Sequence, residues 1–194
     1  MGQINLPNRI TIARIVIIFI FLGLANIQPS PKISESFAYL AHVSAYILAI
    51  IAGLTDIVDG YIARKYNLVS DFGALMDPLA DKIFMVATFI MMVEEKLMPA
   101  WIAVIVIARE FLVTGLRLLA SSKGEVISAD RWGKLKTLLQ MMILLVGGAS
   151  WIGLFKLADI KIFWTLSLWA MAAITVFSGM VYFLRHRSLY ADKV

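Results

Sequence analysis

Three long stretches of this chain contain no charged side chain, and they limit the possible folds more than any other feature. They cover residues 36–55, 137–155 and 162–184. A helix needs about 20 apolar residues to cross the roughly 30 Å hydrocarbon core of a bilayer. Hydrophobic residues make up 61% of the 194-residue chain, whereas a soluble domain carries about 45–50%. The sequence therefore predicts an integral membrane protein.

The remaining apolar segments are also predicted to be helices, so the predicted fold is all-α. We predict six transmembrane helices in a single domain, residues 1–194. The predicted spans are Thr11–Ile27, Ser36–Arg64, a third that starts near Gly73 and ends at Val93, Met98–Ala120, Thr137–Phe155 and Ile162–Leu184.

The third span is informative because its charge-free part is too short. Ile83–Val93 has 11 residues and reaches only about 16 Å at 1.5 Å per residue. The helix must therefore include the turns that carry Asp77 and Asp81. The fourth span must likewise continue through Arg109. A charge at that depth needs a partner, and because neighbouring Glu110 points about 100° away, we expect the partner on another helix.

The basic residues divide unevenly between the two sides of the membrane in this six-helix arrangement, and the side with more of them is the cytoplasmic side. Both termini and the ends of the helices that carry acidic residues are therefore predicted to face the cytoplasm. This bias also explains the net charge of +5 without nucleic acid as a partner. One side has Arg9, Arg14, Arg64, Lys65, Arg117, Lys123, Arg131, Lys134, Lys136, Arg185, Arg187 and Lys193, and the other has Lys32, Lys96, Lys156 and Lys161.

Four aspartates lie at the predicted cytoplasmic end of the second and third helices. Asp56 and Asp59 are three residues apart and Asp77 and Asp81 are four apart, so each pair shares a helical face. Any one of them could be a solvated helix cap, but four together indicate a cation site. Oxygen ligands favour Mg²⁺, Mn²⁺ or Ca²⁺, and the absence of cysteine excludes thiolate ligands. Two such ions could promote a phosphoryl-type displacement.

The spacing of these residues resembles the signature of the CDP-alcohol phosphatidyltransferase family. Eight positions match: Asp56-x-x-Asp59-Gly60-x-x-Ala63-Arg64, then residues 65–72, then Gly73-x-x-x-Asp77-x-x-x-Asp81. The resemblance implies that Asp56, Asp59 and Asp77 hold two divalent cations, Mg²⁺ or Mn²⁺. It implies that Asp81 completes the centre and is the catalytic base. It further implies a pocket for the cytidine diphosphate group of a CDP-linked lipid at Asp56, Gly60, Ala63, Arg64 and Gly73, and a homodimer.

Three motifs outside the signature resemble those family members that join CDP-diacylglycerol to sn-glycerol 3-phosphate. They are Asn8-x-x-Thr11-x-x-Arg14, Ala108-Arg109-Glu110 with Arg117, and Gly133-Lys134-x-Lys136-Thr137. The phosphate dianion of this acceptor needs a pocket of basic residues. A plainer interpretation is that the basic residues only set the topology of the helices beside anionic membrane lipids. The candidates for acceptor binding are Arg14, Arg109, Arg117, Arg131, Lys134 and Lys136.

The sequence is also compatible with two other functions. The same chemistry could use another acceptor, such as inositol phosphate, serine or phosphatidylglycerol. A divalent-cation transporter would also carry aspartates within the membrane. Transporter sites lie near the bilayer midplane between repeats, whereas these aspartates gather at one face and the sequence shows no internal repeat.

Overall fold

The computed structural model describes residues 6–66, 71–125, 127 and 131–190, with side chains except at 6–10, 55–66, 71–75, 77 and 78. Within these ranges the chain is helical and forms no strand beyond one isolated bridge between Ser30 and Ile33. The all-α prediction is confirmed. The helices are α1 (Leu6–Ala25), α2 (Glu35–Tyr66), α3 (Asp71–Glu94), α4 (Ala100–Ser122), α5 (Arg131–Trp151) and α6 (Lys161–Arg185), with short 3₁₀ helices at Leu157–Ile160 and Arg187–Leu189.

Two helical segments among the described residues are long and apolar enough to cross a membrane. They are Glu35–Leu54 in α2 and Leu157–Arg185, which includes α6. Large apolar side chains on other helices also point outward: Phe19 is 63% exposed and Leu118 is 67% exposed. Apolar surface of this kind marks contact with lipid or another protein. These helices indicate a membrane protein.

The chain divides into two compact units. The first, Met1–Met91 with Trp151–Leu154, contains α1 packed along α2. Its core includes Phe21, Ala45 and Met91. His42 lies at its edge, where Nε2 is 2.9 Å from the carbonyl oxygen of Ile27 and the ring stacks on Trp151 at 4.6 Å between centroids. His42 is thus a packed, hydrogen-bonded residue.

The second unit, Met92–Ser150 with Phe155–Val194, contains α4 packed against α6. Helix α5 begins six residues before the predicted start at Thr137, so that prediction is wrong. Charged residues had been treated as the helix boundary, but arginine and lysine are good helix formers, and the helix simply continues through them. Beyond Trp151, Gly153 takes a left-handed φ of +82°, which ends α5 before the predicted Phe155.

Helix α5 comes close to its neighbours at Gly147. A Cβ built there would lie 2.4 Å from Met92 Cε and 3.1 Å from the Trp164 ring. Met92 and Trp164 are themselves buried, so neither can move freely. Helix α5 therefore packs closely against its neighbours at Gly147.

Gly147→Ala is therefore expected to lower the free energy of unfolding by up to about 2 kcal/mol, because the overpacking cost of about 1–3 kcal/mol is partly offset by the better helix propensity of alanine, about 1 kcal/mol. The matched control is Gly115→Ala in α4, where an added Cβ meets nothing within 4 Å. That change should be neutral or stabilising by about 0.5–1 kcal/mol, because alanine is the better helix former. Thermal unfolding in detergent measures both. Equal melting temperatures for the two variants would contradict the close packing at Gly147.

Candidate active site

The helices carry the four signature aspartates in the predicted register. Helix α2 runs through Asp56 and Asp59 to Tyr66, and α3 starts at Asp71 and runs through Asp77 and Asp81. Each pair therefore lies on one helical face. The chain between Tyr66 and Asp71 can span at most about 18 Å, so the carboxyl end of α2 and the amino end of α3 are near each other.

Most side chains of the signature lie outside the described residues. These are Asp56, Asp59, Gly60, Ala63, Arg64, Gly73 and Asp77. Asp81 is described, and its side chain is exposed. Among the side chains that the structure describes, no group of three or more His, Asp or Glu residues could hold a metal ion. The helical spacing and the hard oxygen donors of the aspartate signature suit Mg²⁺ or Mn²⁺.

Two residues of the amino-terminal motif face the protein interior. Thr11 is 0% exposed and Arg14 is 1% exposed, although apolar residues surround them in sequence on α1. The side chain of Asn8, the first residue of the motif, lies outside the described residues. A buried arginine in an apolar helix is costly and points to a functional or structural role inside the protein.

Three charged side chains of the second unit meet at Glu110, and we call them the Glu110 cluster: Arg109, Glu110 and Lys136. Arg109 Nη1 donates to Glu110 Oε1 at 3.3 Å, and Lys136 Nζ donates to the same oxygen. All three side chains are mostly buried. Gly179 of α6 leaves room for the cluster, since a Cβ there would lie 3.2 Å from Arg109 Cγ.

The Glu110 cluster corrects one expectation. Because of the 100° angle between adjacent helical positions, Glu110 was not expected to pair with Arg109, and this is wrong; a further partner of Arg109 on another helix stays a prediction. The arginine side chain is long enough to bend around the helix, and Glu110 is held in place by the lysine of α5. Lys136 is only 2% exposed. Burial was not expected there, because Lys136 was placed just before the predicted fifth span, among other basic residues.

Arg117 lies beside an aromatic residue that the sequence did not single out. Its Nε donates to the hydroxyl of Tyr182 at 3.0 Å, and its guanidinium carbon is 5.6 Å from the centre of the same ring. Tyr182 is buried among Val113, Leu116 and Leu189. A tyrosine near the end of an apolar helix was the available signal, because a buried hydroxyl usually has a hydrogen-bonding partner.

The six basic candidates differ in accessibility and position. Arg117, Arg131 and Lys134 have exposed side chains, whereas Arg14, Arg109 and Lys136 are mostly buried. Arg14 belongs to the first unit and the other five to the second. The structure brings Arg109 and Lys136 together, and it places Arg131 and Lys134 one turn apart at the start of α5.

The sequence profile of the CDP-alcohol phosphatidyltransferases matches residues 4–183. The chain belongs to the CDP-alcohol phosphatidyltransferase family. This family is generally metal-dependent, which agrees with the donor chemistry of the aspartates. Its profile extends over all six helices, so both the signature on α2 and α3 and the basic residues on α4 and α5 lie within the family's shared region.

Several relatives within the CDP-alcohol phosphatidyltransferase family match along most of their length. A Bacillus subtilis protein is 43% identical over 190 residues, which cover 94% of this chain and 95% of the relative. A Rickettsia typhi protein is 38% identical over 92% of this chain and 95% of its own. A Mycoplasma pneumoniae protein is 33% identical, and the match covers 99% of this chain and 88% of the relative. Each is named CDP-diacylglycerol–glycerol-3-phosphate 3-phosphatidyltransferase.

Proposed function

We propose that this protein transfers the phosphatidyl group of CDP-diacylglycerol to sn-glycerol 3-phosphate, giving phosphatidylglycerophosphate and CMP. The observation that carries the proposal is the match to relatives named for this reaction over more than nine-tenths of both chains. The basic residues outside the signature support the same acceptor. The protein is thus an enzyme of phospholipid synthesis.

The two compact units form one membrane domain in this proposal. Even the shortest helix, α1 with 20 residues, is about 30 Å long, which equals the thickness of the bilayer core. All six helices cross the cell membrane, and the bias of basic residues puts both termini and the aspartates on the cytoplasmic side. The protein acts as a homodimer, for which the family resemblance is the support.

The four aspartates form the catalytic centre. Asp56, Asp59, Asp77 and Asp81 would hold two divalent cations, Mg²⁺ or Mn²⁺, which when bound offset the negative charge of the diphosphate. Asp81 takes the proton from the acceptor hydroxyl. The deprotonated oxygen attacks the phosphorus of the phosphatidyl group, and the bond to CMP breaks. Asp81 is suited to this role because its side chain is exposed and a soluble acceptor can reach it.

The residues between the aspartates, at the end of α2 and the start of α3, form the cytidine diphosphate pocket in this proposal. Gly60, Ala63 and Gly73 have little or no side chain, so a flat nucleotide can approach the helix backbone. Arg64 offers planar donors to the diphosphate. Asp56 contributes to this pocket as well as to the cation centre.

The acceptor phosphate is bound by basic residues of two kinds. The exposed residues Arg117, Arg131 and Lys134 can contact a soluble dianion directly. The buried residues Arg14, Arg109 and Lys136 contribute positive charge from within the protein, where it is less screened by water. Glu110 fixes the last two of these charges in position. Asn8 and Thr11 belong to the amino-terminal motif that supports Arg14.

The acceptor is tested with purified protein, CDP-diacylglycerol and Mg²⁺ or Mn²⁺. CMP should be released rapidly when glycerol 3-phosphate is supplied, because the relatives that match along nearly their whole length are named for this acceptor. Inositol 1-phosphate, serine and phosphatidylglycerol should give a rate no greater than the rate without acceptor. Equal or faster CMP release with one of these three would refute the acceptor while leaving the reaction class intact.

A further inference from the structure

A cavity of about 600 Å³ opens in the second unit where α3 ends and both α4 and α6 begin. Its wall is largely apolar, with Leu97, Pro99, Trp164 and Trp169 among the lining residues. Trp164 Nε1 donates to the carbonyl oxygen of Leu97 at 2.8 Å, which fixes α6 to the turn between α3 and α4. Pockets that bind small ligands measure roughly 300–1,000 Å³. The cavity is therefore large enough for an apolar group.

Two lysines supply all of the charge in the cavity wall. Lys96 and Lys161 both line it, and no acidic residue does. In the described part of the chain neither amine pairs with a carboxylate, although Glu94, Glu95 and Asp159 are close in sequence. An apolar wall beside two cations matches an apolar ligand that carries an anionic group.

The backbone at Lys96 is unfavourable for a lysine. Its φ is +56°, and the hydrogen bonds from Leu97 N to Met92 O (2.9 Å) and from Lys96 N to Val93 O (3.1 Å) form the helix ending that usually has glycine at this position. Helix α4 ends with Gly124 at φ +76° and α5 with Gly153 at φ +82°. The end of α3 instead keeps a lysine and its backbone strain, which indicates a role for the side chain.

We propose that this cavity binds one anionic phospholipid, with the headgroup phosphate between Lys96 and Lys161 and an acyl chain along the apolar wall. Basic residues near a membrane surface attract anionic headgroups. Trp169, in contact with Trp101 at 4.9 Å between ring centres and 58% exposed, is typical of the membrane interface. The proposed topology puts both lysines on the side opposite the aspartates, so this lipid is not the substrate.

The site is tested by native mass spectrometry of the whole protein in detergent, without CDP-diacylglycerol. Phosphatidylglycerol and phosphatidylcholine with identical acyl chains are the probes. The first phosphatidylglycerol should bind on the order of tenfold more weakly to the Lys96→Gln/Lys161→Gln variant, because each lysine contributes several-fold to the attraction. The control Lys32→Gln/Lys156→Gln removes two lysines assigned to the same side that do not line the cavity, and it should bind like the wild type.

A single variant separates lipid binding from a structural role of Lys96. Lys96→Gly should raise the melting temperature by a few degrees, since glycine relieves the backbone strain. It should also weaken the binding of the first phosphatidylglycerol molecule. Unchanged lipid binding in this variant would show that the lysine only interacts with the carboxyl end of α3, and the proposal would fail. It would also fail if the wild type bound both lipids equally, or if inorganic phosphate displaced the lipid at millimolar concentration.

Discussion

Asp81→Asn is expected to abolish CMP release while leaving the protein folded. Asparagine has nearly the same size as aspartate, but it cannot accept the proton of the acceptor hydroxyl and carries no charge for a cation. Loss of a general base alone lowers kcat by about 10²–10⁴-fold, and loss of a cation ligand lowers it further. The rate should be measured at saturating CDP-diacylglycerol and glycerol 3-phosphate.

The control for this change is Asp159→Asn, an equal substitution at another exposed aspartate, in the 3₁₀ helix before α6. It should keep full activity. Both variants should unfold within about two degrees of the wild type, because exposed substitutions usually change stability by less than 0.5 kcal/mol. Activity of Asp81→Asn near the wild-type level would remove Asp81 from the role of base.

Glu110→Gln is expected to cause the largest loss of stability in the Glu110 cluster. It removes the carboxylate that Arg109 and Lys136 share in a mostly buried place. Breaking a buried ion pair by removing one partner costs about 3–5 kcal/mol. Lys136→Met should cost less, because the Arg109–Glu110 pair persists and the methionine stem fills the same space.

The two variants should also differ in kinetics. Lys136→Met removes a positive charge proposed to attract the acceptor phosphate, so the KM for glycerol 3-phosphate should rise about tenfold, while the KM for CDP-diacylglycerol should stay the same. Glu125→Gln, at an exposed position beyond α4, is the control for the loss of a carboxylate. If Glu110→Gln were as stable as this control, the Glu110 cluster would not hold α4 and α5 together. If the KM for glycerol 3-phosphate were unchanged in Lys136→Met, the role of Lys136 would be structural only.

The sequence predicted the helical plan well where membrane thickness imposed a length. The charge-free part of the third span was too short to cross a bilayer, so Asp77 and Asp81 had to lie within the helix, and α3 from Asp71 to Glu94 confirms this. The same reasoning misplaced the bounds of the fifth helix. The span Thr137–Phe155 was chosen because it is free of charge and long enough to cross a bilayer, yet α5 begins at Arg131, because a helix can continue through lysine and arginine.

The partners of the charged residues were the part that the sequence could not provide. Pairing of Lys136 with Glu110 depends on how α5 is rotated against α4, and helical periodicity within one segment contains no information about a neighbour. The same holds for Arg117 and Tyr182, which are 65 residues apart. By contrast, the aspartate signature is local: its spacing along two consecutive helices resembled that of the CDP-alcohol phosphatidyltransferases, and the family is confirmed. The roles of the individual aspartates stay predictions.

The most direct test of the proposed reaction identifies both products of a single assay. Purified protein with CDP-diacylglycerol, Mn²⁺ or Mg²⁺ and isotopically labelled glycerol 3-phosphate should give labelled phosphatidylglycerophosphate and CMP in equal amounts by mass spectrometry. A chelator should stop both products together, and Asp81→Asn should form neither. CMP release without a labelled lipid, or uptake of divalent cations into vesicles by a protein that forms no lipid product, would contradict the proposed phosphatidyl transfer.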